Sequence, residues 1–284
     1  MDGYLGLQKK EYTLNILQKI VETKKREVAE AKVRIPLAEL QERCKNADAP
    51  RNFFSTMTRE PVGLVNVIAE VKKASPSAGV IRDDFDPVAI AKAYCAAGAD
   101  ALSVLTDREY FHGSLDYLRP IRREVGVPIL RKDFIIDPYQ IWESLAAGAD
   151  AILLIAEILG DSDVMDLLIL AAELRLTALI EVHEMDSLLR MRNMLGFPMR
   201  SYSLLGINNR DLTTFKVDLV NSIRLAEFVD DKAVLVAESG IRDRSDIQRL
   251  NAAGIRSVLI GETLMRSGDI GGTMANLKGI LRQS

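Results

Sequence analysis

Cysteine and histidine are nearly missing from this chain, with two of each among 284 residues. Cys44 and Cys95 are too few for a disulfide framework or a cysteine zinc site, and a reducing cytoplasm suits them. His112 and His183 have no second His or Cys at ligand spacing, so ordinary polar or surface roles are expected for both. Long apolar runs are lacking too. No stretch approaches the roughly 20 residues that span a bilayer, and Met1 to Lys10 has no apolar segment of a secretion signal. A net charge of -3 argues against a general nucleic-acid or membrane surface. No Gly-x-Gly-x-x-Gly follows the first strand-like run and no composition break splits the chain, which disfavours an open doubly wound sheet.

Hydrophobic residues make up 48% of the chain, ample for a core, and its length suits either two small domains or one barrel of roughly 250 residues. The chain is organised around Asn66 to Gly79. Its apolar beginning reads as a buried strand, and Ser75-Pro76-Ser77-Ala78-Gly79 stops it, since proline has no ladder donor. Alternation puts Ile68, Glu70 and Lys72 on one face. Opposite charges beside a core residue are costly unless they meet each other or a ligand. The pair fits a structural ion pair at a strand end, or an active site at the carboxyl mouth of a parallel barrel.

Before this strand, apolar positions at Leu14, Leu17, Val21 and Val28 predict an amphipathic helix over 12–34, with Lys24-Lys25-Arg26 on a solvated face. Pro36 ends or restarts it, and Leu37, Leu40 and Cys44 suit a second short helix. Residues 1–48 are therefore expected to form an extension packed on a main domain of residues 49–284. From residue 66 the pattern alternates. Strands are expected at 66–72, 101–105, 128–132, 150–155, 177–182, 203–207, 233–238 and 257–261. Helices are expected near 87–97, 115–124, 138–147, 162–174, 184–195, 218–229, 243–253 and 269–282. Ala96-Ala97-Gly98-Ala99-Asp100 recurs as Ala146-Ala147-Gly148-Ala149-Asp150 and loosely at Ala252-Ala253-Gly254, with glycine as the left-handed cap between helix and strand. Eight such units read as a closed (β/α)8 TIM barrel. The chain ends soon after the eighth, so no fused second enzyme is expected in it.

Polar residues stand where the strands end: Glu70 and Lys72, Lys132, Glu181, Asn208 with Arg210, Glu238, and Glu262 after Gly261. Lysines and carboxylates in a partly dry mouth push one another's pKa values apart, so one site can hold both an acid and a base. Lys132 fits two roles, proton donor or Schiff-base nucleophile. Ser239-Gly240 and Gly261-Glu262-Thr263 follow strands seven and eight, where barrels of this kind hold phosphate, and Ser75 adds a hydroxyl. Glu262 suits an anion only if it points away. Phe111 and Phe134 fit an apolar wall for a planar substrate, or packing under their own loops. Asp83, Asp84 and Asp86 read as an acidic loop and helix cap rather than a metal site. Glu157, past strand four, either joins the site or faces solvent.

Taken together, Glu70-Val71-Lys72-Lys73-Ala74-Ser75-Pro76-Ser77, Ser103-Val104-Leu105-Thr106 with Tyr110-Phe111, Lys132-Asp133-Phe134, Glu181-Val182-His183, Gly206-Ile207-Asn208-Asn209-Arg210-Asp211-Leu212 and Glu238-Ser239-Gly240-Ile241 resemble the signature of the indole-3-glycerol phosphate synthase family. The resemblance runs from about Leu14 to about Met265, and the N-terminal helices are similar to an extension that covers the barrel mouth in that family. It implies a cytoplasmic carboxy-lyase of tryptophan biosynthesis. Its small-molecule substrate would be 1-(2-carboxyphenylamino)-1-deoxyribulose 5-phosphate, whose pyrrole ring closes with loss of carbon dioxide and water. No cofactor, metal, nucleic acid or membrane is implied, and a monomer is plausible. By the resemblance, Lys132 is the general acid, Glu181 its companion, and Glu70 with Lys72 serves dehydration, Lys72 also attracting the anion. Asn208, Arg210 and Glu238 orient the substrate and the lysines. Ser75, Ser239, Gly240, Gly261 and Thr263 receive phosphate, and Phe111 and Phe134 flank the aromatic ring. Glu157 departs from the small or apolar residue expected there, and Met1 to Lys10 has no counterpart. The competing expectations are a phosphosugar isomerase or Schiff-base aldolase of the same fold, and a phosphate-binding barrel without catalysis.

Overall fold

A computed structural model describes residues 16–195, 202–211 and 216–280. The segment Met1 to Lys10, Leu14, Leu212 and the tail beyond residue 280 lie outside the described residues.

Eight parallel strands close on themselves: β1 Asn66–Val71, β2 Ala101–Leu105, β3 Ile129–Lys132, β4 Ala151–Ile155, β5 Thr177–Val182, β6 Ser203–Asn208, β7 Leu235–Glu238 and β8 Ser257–Ile260, with β1 joining β8. Seven of the eight are buried along their whole length, and only Lys132 at the end of β3 is partly exposed. Both faces are covered, which is why runs such as Ala151–Ile155 are apolar at every position rather than at alternate ones. The outer layer comprises α4 Pro87–Ala96, α5 Leu118–Glu124, α6 Pro138–Ala147, α7 Asp161–Glu173, α8 Met185–Leu195, α9 Val220–Ala226, α10 Arg244–Ala252 and α12 Ile270–Lys278. The one-turn α11 Glu262–Met265, absent from the expected elements, comes before α12, which begins one residue late and stops short of the expected 282 at Lys278, capped by Gly279 with φ 66°. The expected helix at 115–124 opens as a 3-10 turn over Leu115–Tyr117.

The repeated junction has a double purpose. Gly98, Gly148 and Gly254 all have φ near +90°, at 89°, 90° and 88°, a conformation that strains residues with a Cβ. The aspartate that follows pins the base of the barrel. Asp100 accepts from Val67 N and pairs with Arg59 and Lys278, while Asp150 accepts from Ile129 N and pairs with Arg122.

Three helices precede the barrel: α1 Ile16–Arg34, α2 Leu37–Cys44 and α3 Phe53–Thr58. The last, unexpected from the sequence, plugs the floor with fully buried Phe53 and Met57, and Ser257 Oγ and Asn66 Nδ2 both donate to the Met57 carbonyl. At the other end, α1 brings Ile16, Leu17 and Ile20 to the mouth. Lys24 corrects the expectation of a solvated basic face. Lys25 and Arg26 are exposed, but Lys24 is 2% exposed and pairs with Asp107 at 2.7 Å, Asp133 at 3.0 Å and Glu27 at 2.7 Å. Burial opposes its charge, yet Asp133 and Asp107 outweigh that and hold its pKa above the ordinary lysine value. Farther along, the Tyr139 hydroxyl on α6 reaches the carbonyls of Ala31 and Ile35, at 3.0 and 2.9 Å. Among the described residues no helix is long and apolar enough to cross a membrane.

Candidate active site

Strand register sets the site. Ile155 lies opposite Glu181, Asn208 opposite Glu238, and Leu105 opposite Lys132, so these residues arrive at one level around the carboxyl mouth. They line a cavity of about 520 Å³. Of the residues expected at the site, Glu70, Lys72, Ser75, Phe111, Lys132, Phe134, Glu181, Asn208, Arg210, Glu238, Ser239, Gly240, Gly261 and Thr263 all border this cavity.

Lys132 is its electrostatic centre. Its Nζ lies 2.6 Å from Glu181 Oε2 and 3.3 Å from Glu238 Oε2. Burial opposes the ammonium, but Glu181, Glu238 and Glu70 together raise its pKa well above the ordinary lysine value. Such a lysine stays protonated at neutral pH, which suits a proton donor and leaves no free amine for a Schiff base. The two carboxylates separate. Glu181 falls to about 2 because Lys132 and then His183 outweigh its burial, and Asn208 Nδ2 donates to it at 3.1 Å. Glu238 rises to about 8, driven first by burial and then by the neighbouring Glu181 charge, with Lys132 pulling the other way. One lysine between two buried carboxylates thus pushes their proton affinities apart, Glu181 downward and Glu238 upward.

A second pair stands beside the first. Lys72 Nζ is 2.5 Å from Glu70 Oε1, as the shared parity of these positions on β1 requires. Two glycines make room for the carboxylates. A Cβ on Gly206 would collide with Glu238 Oε1, and one on Gly261 with Glu70 Oε1. Gly261, expected only in a phosphate cradle, therefore also shapes the lysine–carboxylate floor.

The far end of the cavity lies between the loops after β7 and β8. Ser239 and Gly240 both have positive φ, 65° and 78°, and a serine in that region is uncommon. Thr263 Oγ1 donates to the Ile241 carbonyl at 2.6 Å, which ties the two loops together. Glu262 accepts from Arg266 Nε at 3.0 Å and lies 3.9 Å from Arg210, so its charge is engaged by arginines. Arg242, in the loop after β7, and Arg266, which caps α11, also border the cavity, and neither was expected from the sequence. In the first loop, Ala74–Ser75 pairs with Gly79–Val80 as a two-residue ladder, and Ser75 Oγ accepts from Ala78 N. Arg210 Nη1 donates to Ser77 Oγ at 3.3 Å across the opening.

The opposite wall is apolar. The rings of Phe111 and Phe134 lie 6.0 Å apart at 40°, with Leu105, Leu153 and Ile155 also on the lining. Asp107, held by Lys24, accepts from the backbone N–H of Tyr110 and Phe111 and so fixes the loop that presents this ring.

Both histidines were expected in ordinary polar or surface roles. His112 is exposed, but His183 is buried against the site. Its Nδ1 lies 3.0 Å from Glu157 Oε2 and its Nε2 3.3 Å from Glu181 Oε1. Glu157 therefore turns inward, and it also accepts from His183 N. Farther out, Asp86 caps α4 through Val88 N and Ala89 N, and Asp84 pairs with Arg82.

Comparison with known proteins identifies the family. The family model described as indole-3-glycerol phosphate synthase matches residues 17–277. A protein of that name from Rhodospirillum rubrum is 46% identical over 266 residues, covering 93% of this chain and 99% of its own. Another from Rhodopirellula baltica is 46% identical over 257 residues, covering 90% and 96%. Among solved structures, 3-hexulose-6-phosphate synthase from Salmonella typhimurium aligns with a TM-score of 0.60 at 13% identity, over 76% of this chain and 97% of that one. Thiamine phosphate pyrophosphorylase from Pyrococcus furiosus aligns at 0.51 and 15% identity, over 76% and 95%. Such low identities speak for the barrel fold alone. The family match and the full-length relatives go further: the chain belongs to the indole-3-glycerol phosphate synthase family.

Proposed function

We propose that the ammonium of Lys132, held between Glu181 and Glu238, is the general acid of a carboxy-lyase that closes the indole pyrrole ring. The family's activity is indole-3-glycerol phosphate synthesis, a step of tryptophan biosynthesis, and a cytoplasmic location suits it. The substrate is 1-(2-carboxyphenylamino)-1-deoxyribulose 5-phosphate. The observation that carries the reading is the position of Lys132 Nζ at the carboxyl mouth, 2.6 Å from Glu181 Oε2 and 3.3 Å from Glu238 Oε2.

The ring carbon bearing the carboxylate attacks the ribulose carbonyl while Lys132 delivers a proton to the carbonyl oxygen. Carbon dioxide then leaves, which restores aromaticity in the six-membered ring. Dehydration follows: an acid protonates the departing hydroxyl and a base removes a proton from the adjacent carbon, work assigned to Glu70 and Lys72 with Glu181. Proton donors and acceptors placed in this way contribute about 10²–10⁴-fold to rate. Asn208, Arg210 and Glu238 hold substrate hydroxyls and the lysines in register. Phe111 and Phe134 receive the anthranilate ring. Ser75, Ser239, Gly240, Gly261 and Thr263 receive the phosphate, with Arg242 and Arg266 adding positive charge near it.

A phosphosugar aldolase would need Lys132 as a neutral amine, which its carboxylate neighbours disfavour. The test supplies the substrate to purified protein and follows indole absorbance with carbon dioxide release. Equimolar appearance of both is expected, and binding without either product would reject the synthase chemistry.

A further inference from the structure

The proposed reaction uses more protons than it returns. One proton goes to the carbonyl oxygen and one to the departing hydroxyl, and one comes back from the carbon adjacent to nitrogen. The carboxylate charge leaves as neutral carbon dioxide, so each turnover takes one proton from solvent. That proton must return to Lys132 between the two buried carboxylates Glu181 and Glu238.

We propose that Glu157, His183 and Glu181 form the route by which this proton enters, with His183 as a positioning and relay residue behind Glu181. The chain of atoms is continuous. Glu157 lies in the turn after β4 with its side chain 19% exposed, and its Oε2 is 3.0 Å from His183 Nδ1. His183 Nε2 is 3.3 Å from Glu181 Oε1, and Glu181 Oε2 is 2.6 Å from Lys132 Nζ. The His183 side chain is 7% exposed and its Nε2 has no hydrogen bond among the described residues, so the ring points a polar atom at the carboxylate next to the acid. Its orientation is fixed from two further sides. Glu157 Oε1 accepts from His183 N, and Asn221 Nδ2 from α9 donates to the His183 carbonyl.

The charged groups facing the ring are Glu157, Glu181 and, through Glu181, Lys132. Burial and Lys132 disfavour the imidazolium, but the hydrogen bond to Glu157 and the charges of Glu181 and Glu157 outweigh them and raise its pKa. A ring that is readily protonated and touches a carboxylate on each side can pass a proton inward from one to the other. The inference rests on the decarboxylating reading, since an isomerase consumes no net proton.

The test compares wild type with His183→Gln, which keeps a polar side chain but cannot take up and release a proton. The expected result is a fall in kcat of at least about ten-fold above neutral pH with KM little changed. Turnover of the variant should rise with the concentration of a small buffer acid such as imidazolium, while wild type stays indifferent to it. Glu157→Gln tests the outer end without touching the ring and should lose activity in the same direction. A His183→Gln protein with wild-type kcat, or one whose loss is independent of buffer acid at every pH, would overturn the relay. If wild type itself makes no indole product, the synthase reading falls and the relay with it. Wild-type turnover with an indifferent variant removes the relay alone.

Discussion

At the scale of single residues, one lysine divides two carboxylates. Glu238 has its pKa raised from 4.5 to about 8, so between these values the folded protein holds a proton that the unfolded chain has released. Stability therefore falls as pH rises through that window, whereas the lowered Glu181 contributes stability that is lost as pH falls from 4.5 toward about 2. Glu238→Gln removes the first effect. Urea unfolding should show the variant gaining stability relative to wild type between about pH 5 and about pH 8. A constant difference across that range would mean that Glu238 is ionised throughout. Gly206 supplies a second residue-scale prediction. Its missing Cβ leaves space for Glu238 Oε1, so Gly206→Ala should swing that carboxylate away from Lys132. Because the displaced group is the end of a flexible side chain, the thermal midpoint should move little while turnover falls by about ten-fold or more.

At the scale of elements, α1 is bound to the barrel by a buried cation rather than by an apolar stripe alone. Lys24 joins Asp107 after β2 to Asp133 after β3, and Asp133 also accepts from Arg131 and Thr106. Breaking such a pair leaves a buried charge uncompensated, which costs about 3–5 kcal/mol. Lys24→Met should lower stability by that order in urea unfolding. It should also raise KM, because Asp107 orders the loop carrying Phe111. Stability equal to wild type would show that Lys24 is dispensable as an anchor. This anchor was not legible in the sequence. Lys24, Lys25 and Arg26 read as one basic run, and only the fold separates the residue that turns inward from the two that stay in water. His183 and Glu157 escaped for a related reason: they are 26 positions apart and have no motif spacing, yet the packing of β4 beside β5 brings them together. The strands themselves were legible to within two residues, since apolar runs bounded by turn residues are a local signal. So was the αL glycine before β2, β4 and β8. Helix ends were less so, as with the 3-10 turn at Leu115–Tyr117 and the one-turn α11, where local hydrogen bonds rather than apolar period decide the boundary.

At the scale of the molecule, closure of the barrel converts sequence order into a ring of functional groups. Each strand end noted in the sequence arrives at the same mouth because parallel strands in register must all end there, which is why the candidate site could be read from widely separated motifs. The depth of the site could not be read in this way. It comes from α1 over the mouth, from glycines that admit carboxylates, and from arginines that engage Glu262. The most direct test of the account measures turnover and substrate binding together in Lys132→Met, a variant of similar length without the proton. Indole formation should fall by at least about 10²-fold while the substrate still binds, since the phosphate end and the aromatic wall are untouched. Indole formation at the wild-type rate would contradict it, because the proton would then be arriving from another group.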